Sequence, residues 1–133
     1  MATQIFVNLP VKDLDKSIEF FTQLGYIFNP QFTDGNATCM IISNTIYAML
    51  LAEPFFKTFT KQEVTDTSVA NESFICLSAE SREAVDAMVS KAVAAGATAP
   101  NAAQDHGFMY GHGFADLDGH FWEYMWMDPS HIK

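Results

Sequence analysis

Hydrophobic and polar positions follow two rhythms along this chain, and they recur in the same order in each half. QIFVNLPV reads as an apolar strand. DLDKSIEFFTQLG then places Leu14, Ile18, Phe21 and Leu24 on one face of a helix. Asp13 is suited to accept from its first free N–H groups, and Gly25 to end it. YIFNPQF, ATCMII and IYAMLLA predict three strands, with SNT turning between the last two. In the second half SFICLSAE predicts a strand, and SREAVDAMVSKAVAAG a helix capped by Ser81 and stopped by Gly96. Val85, Met88 and Ala92 form its expected core face. TAPNAA is a possible short edge strand weakened by Pro100, and MYGHGFA and FWEYMWM predict a hairpin. Each half thus reads strand–helix–strand–strand–strand.

Setting Phe6 against Phe74 aligns both opening strands and both helix caps without a gap. The expected fold is therefore α+β: one domain over 1–133, built of two βαβββ modules. Module one spans about 1–53, a connecting segment about 54–71, and module two about 72–133. The connection carries Phe55, Phe56 and Phe59. A lid or a partner contact is one use for so long a segment; packing of the three rings back on the core is the preferred expectation.

The last strand raises the sharpest chemical question. Alternation puts Phe121, Glu123, Met125 and Met127 on one face and Trp122, Tyr124 and Trp126 on the other. Both faces are otherwise apolar, so Glu123 needs a partner or a task. Asn8 shares a strand face with Phe6 and could offer an amide. A four-residue hairpin connection puts His112 opposite Glu123, whereas a five-residue connection puts Gly113 there; the first is preferred. QDHGFMYGHGF gathers His106, Tyr110 and His112, either as a pocket rim with a proton carrier or as a glycine-rich loop with exposed histidines. The second reading is preferred.

Composition narrows the partners. A 133-residue chain that is 49% hydrophobic and 17% charged can fold around a real core. Its formal net charge of −9 disfavours nucleic acid and anionic membrane surfaces and mildly favours a cationic ligand. The opening residues do not read as a secretory leader. Cys39 and Cys76 are expected to be reduced core residues of a cytoplasmic protein.

NLPVKDLDKSIEFFTQLGY near the start and FADLDGHFWEYMWMDP near the end carry a resemblance. With the repeat, they make the chain similar to the vicinal oxygen chelate superfamily, which includes glyoxalase I, bleomycin-resistance proteins and extradiol dioxygenases. The resemblance implies that the two modules form a curved mixed sheet around an aromatic cavity, with metal-ligand positions on the first and last strand of each module. Here they fall on Phe6, on Ala48 or Met49, on Phe74 and on Glu123. Only Glu123 can ligate a metal, so no cofactor is expected, and a lone carboxylate would make a poor site for a divalent ion. The leading expectation is metal-independent binding of a small organic molecule, cationic or aromatic. Phe6, Phe74, Cys76, His112, Phe121 and Met125 would line the site, while Asn8 and Glu123 orient the ligand. The alternatives are a divalent-metal lyase or dioxygenase with unusual ligands, and a metal-free isomerase with Glu123 as base. Similar proteins commonly dimerise, so a homodimer is expected.

Overall fold

A computed structural model describes residues 2–131, the side chain of His131 excepted. The chain divides between Val64 and Thr65 into two compact units, one around each module. The fold is α+β, two βαβββ modules each carrying a four-stranded mixed sheet.

In module one β1 (Ile5–Val11) leads into α1 (Leu14–Gln23), followed by β2 (Ile27–Asn29), β3 (Ala37–Ile41) and β4 (Ile46–Ala52). The sheet order is β1-β4-β3-β2, with β1 parallel to β4 and the other pairs antiparallel. The Asp13 carboxylate accepts from Lys16 N at 3.1 Å, and Gly25 leaves the helix at φ 103°. The buried stripe of α1 is Leu14, Ser17, Phe20 and Phe21, followed by Leu24. Ile18, expected on that face, is only half-buried, because Phe20 and Phe21 together turn the stripe toward Ser17. YIFNPQF is strand only as far as Asn29. Asn29 Oδ1 then caps the N–H of Gln31 at 3.0 Å, and Pro30–Phe32 forms a 3₁₀ turn.

The connecting segment is partly helical. It holds α2 (Glu53–Phe56) and a further 3₁₀ turn, Lys57–Phe59. Phe55 meets Phe59 edge-on at 5.2 Å. Phe59 is nevertheless 68% exposed, so the three rings do not all return to the core.

Module two repeats the order with β5 (Phe74–Ser78), α3 (Arg82–Ala94), β6 (Gln104–Asp105), β7 (Met109–Ala115) and β8 (Phe121–Met127), its sheet running β5-β8-β7-β6. Ser81 Oγ accepts from Ala84 N at 3.0 Å, matching the role of Asp13. Val85, Val89 and Ala92 are buried, with Met88 displaced from the stripe by Val89. The edge strand is not TAPNAA. Thr98 makes a single bridge to Ala115, Pro100 can donate no ladder hydrogen bond, and pairing resumes only at Gln104. Trp122, Phe114 and Tyr124 fill the core beneath this sheet. No helix among the described residues is long and apolar enough to cross a membrane.

Candidate ligand-binding site

The two modules carry their first and last strands in matching registers. Phe6 pairs with Tyr47 and Asn8 with Met49 in module one; Phe74 pairs with Phe121 and Cys76 with Glu123 in module two. Met49 is thus the counterpart of Glu123, while Ala48, fully buried, belongs to the opposite face. Phe6 is 48% exposed and stacks on Tyr47 at 4.8 Å; Phe74 is 63% exposed and meets Phe121 edge-on at 6.3 Å. Each ring therefore lies on the sheet face away from its module's buried core. The Asn8 amide turns back and donates to Phe6 O at 3.1 Å.

On β8 the alternation holds. Trp122 and Tyr124 are buried in the core, and Phe121, Glu123 and Met125 are half-buried on the other face. The hairpin register, however, is set by a five-residue connection: Ala115 pairs with Phe121, Gly113 with Glu123 and His112 with Tyr124. His112 does not stand opposite Glu123. The Asp116 carboxylate explains the longer loop, accepting from Asp118 N at 2.9 Å, His120 N at 3.0 Å and the Trp122 indole at 2.9 Å. Gly119 completes the turn at φ 87°, where a Cβ would also lie 2.7 Å from Thr67 O. The bonds anchor the loop to the fully buried Trp122, and a shorter loop could not make them all.

A recess of about 150 Å³ opens on this face of module two. Glu123, Phe121 and Met125 line it from β8, Gly111, His112 and Gly113 from β7, and Asn101, Gln104 and His106 from the edge. His112 Nε2 lies 3.0 Å from Asn101 O, which joins β7 to that edge. An adjoining depression shares Asn101, Phe121 and Glu123 and adds Asn71 and Phe74. The rim is braced by Arg82, which reaches Asp105 Oδ2 and Gly107 O at 2.7 Å each and lies over the rings of Tyr110 and Trp126. Tyr110 in turn donates to Asp86 at 2.6 Å. The Arg82 hydrogen bond holds the Asp105 carboxyl below its ordinary range, so this guanidinium is already committed.

Cys76 comes within reach of Glu123, its Sγ lying 3.8 Å from Oε1. His112, one expected partner, turns to Asn101 O instead, and the Asn8 amide donates within its own strand. Cys76 is exposed rather than a core residue, because it shares the open face with Phe74 and Ser78; Cys39 is buried. Partial burial, then the Glu123 charge and hydrogen bond, push the Cys76 thiol upward, so it stays protonated at neutral pH. Among the described residues no basic side chain lies within ion-pairing distance of Glu123. Gly113 opposite it is the alternative that the five-residue connection offered; the second glycine on this face, Gly111, was not anticipated from sequence. The alternation Gly-x-Gly in MYGHGFA was the available sign, since both glycines must fall on one face.

The first 43 residues already point to a family: residues 3–43 match the model described as Bleomycin resistance protein-like N-terminal. The solved hypothetical protein SA1046 from S. aureus is 30% identical, with a TM-score of 0.79 and 94% of each chain covered. The chain belongs to the vicinal oxygen chelate superfamily. A glyoxalase/bleomycin resistance protein/dioxygenase family enzyme from Burkholderia phytofirmans PsJN shares this superfamily fold at 17% identity, covering 95% of this chain and 99% of its own, with a TM-score of 0.78. The fosfomycin resistance protein FosX from Listeria monocytogenes does so at 16% identity, covering 100% and 99%, with a TM-score of 0.68. No functionally curated protein matches the sequence. The positions that the resemblance marks for metal ligands hold Phe6 and Met49 in module one and Phe74 and Glu123 in module two; of these side chains only the carboxylate suits a hard divalent ion. Among the described residues no three His, Cys, Asp or Glu side chains come together in a way that could hold an ion.

Proposed function

We propose that this glyoxalase/bleomycin-resistance-like protein binds a small organic cation with an aromatic part, and does so without a metal. The observation that carries this reading is Glu123, a half-buried carboxylate on the wall of a recess with no cationic partner among the described residues. A carboxylate so placed is stabilised by a charged donor from outside the chain. Phe121 and Met125 offer the apolar flank that such a ligand's ring would cover, and Phe74 extends that flank in the adjoining depression. The net charge of −9 favours the approach of a cation from solution.

Calorimetry of the wild type and Glu123→Gln against a panel of aromatic amines tests this. The substitution removes the charge and keeps the shape. Binding weakens by roughly 1.5–3 kcal/mol, the scale of a hydrogen bond to a charged group. Equal affinity in a well-folded Glu123→Gln protein defeats the proposal.

A further inference from the structure

The binding role proposed for Glu123 leaves open what shape of cation it takes, and the opposite strand bears on that. Gly111 and Gly113 alternate on β7, so both turn toward the recess, and Gly113 lies directly across from Glu123. The Phe121 ring lies against buried Gly113, while at Gly111 the floor is bare peptide. The carboxylate leans over it: a Cβ added at Gly111 would lie 3.8 Å from Glu123 Oε1 and 3.9 Å from its carboxyl carbon. Any side chain longer than a methyl at that position would enter the space where a partner of the carboxylate must sit. The recess is also small. A volume of about 150 Å³ is the size of a cavity that accepts a single benzene ring.

We infer that the recess selects a planar, one-ring cation of the amidinium or aminopyridinium class, laid on the backbone at Gly111, and that Gly111 is the residue that sets this limit. The inference rests on the cation-binding role of Glu123. A flat amidinium offers two parallel N–H donors to one carboxylate, while a quaternary ammonium of similar charge offers none and is thicker in every direction.

Benzamidine and benzyltrimethylammonium serve as probes, titrated by calorimetry into wild type, Gly111→Val and Glu123→Gln. Benzamidine should bind the wild type at least tenfold more tightly than benzyltrimethylammonium. Gly111→Val should lose at least tenfold in benzamidine affinity. Gly111→Ala, whose methyl makes only ordinary contacts, serves as the second variant should valine disturb the fold; it should melt like wild type and show a smaller loss of the same sign. Equal binding of the two cations overturns the planar selectivity. A folded Gly111→Val that binds benzamidine like wild type, while Glu123→Gln does not, overturns the role of Gly111 and leaves the cation site standing. Benzamidine binding unchanged in Glu123→Gln, or no binding of either cation to wild type at millimolar concentration, overturns the cation site and this inference together.

Discussion

Replacing Gly113 with alanine adds one methyl group where the hairpin has no room for it. The new Cβ would lie 2.4 Å from the Trp122 carbonyl oxygen, 3.0 Å from a ring carbon of Phe121 and 3.2 Å from Glu123 Cα. The Phe121 ring can turn away. The carbonyl cannot, because Trp122 is fully buried and paired with the equally buried Phe114. Relief therefore requires β7 and β8 to part, and overpacking of this kind destabilises by about 1–3 kcal/mol. The obstacle is main chain, which argues for the upper part of that range, while the smaller entropy of an unfolded alanine returns about 0.4–1 kcal/mol. The net expectation is a loss of about 2 kcal/mol. With an unfolding entropy near 2.1 cal/mol/K per residue, a chain of this length should melt about 7 °C lower. Gly111→Ala is the internal control: two residues away on the same face, its Cβ would stand 3.6 Å from Tyr124 O. It should melt at or slightly above the wild-type temperature. Differential scanning calorimetry of the three proteins in one buffer reads both outcomes. Equal melting of Gly113→Ala and wild type, or an equal loss in both variants, refutes the steric reasoning and the strand register beneath it.

Thiol chemistry should separate the two cysteines: iodoacetamide should modify exposed Cys76 and spare buried Cys39 in the folded protein, as peptide mass mapping would show. Because burial and Glu123 raise the Cys76 thiol, the folded state holds that proton more tightly than the unfolded chain does. Its contribution to stability is present below the ordinary thiol range and is lost as pH rises through the folded value. Glu123→Gln should shift the alkylation profile to lower pH and react several-fold faster at pH 8; an unchanged profile would contradict the pairing. Asp116→Ala leaves the buried Trp122 indole and two loop amides without their acceptor, which should cost about 2–4 kcal/mol in a urea titration; a loss under 0.5 kcal/mol would count against the loop argument. Protein prepared without a histidine tag should contain no stoichiometric Zn, Ni, Mn or Fe by elemental analysis, and about one ion per chain would overturn the metal-free reading.

What the sequence made legible were features fixed by local periodicity. Asp13 and Ser81 cap their helices, and the alternation along β8 separates Glu123 from Trp122 and Tyr124. Aligning Phe6 with Phe74 anticipated the matching strand registers. Features that depend on a distant or unusual bond were not legible. The hairpin register turned on the three hydrogen bonds of Asp116, and nothing in DLDGH announces that its carboxylate reaches the Trp122 indole. Cys76 was expected both as a core thiol and in the lining of the site, and the open face of β5 leaves it exposed. The edge strand shifted because Thr98 bridges to Ala115 only once before Pro100 interrupts the ladder.

The parallel pairing of first and last strand within each module has a consequence for how the chain acquires its structure. Ile5 must find Ile46, and Phe74 must find Phe121, before either opening strand gains a neighbour. The hairpins β3–β4 and β7–β8 join residues close in sequence and can form within microseconds, whereas the parallel closures carry the entropy of a long intervening loop. β1 and β5 should therefore be the last strands to dock, leaving Phe6 and Phe74 solvated late in folding. Hydrogen exchange pulsed during refolding should show protection at Met40 and Phe114 before it appears at Val7 and Ile75.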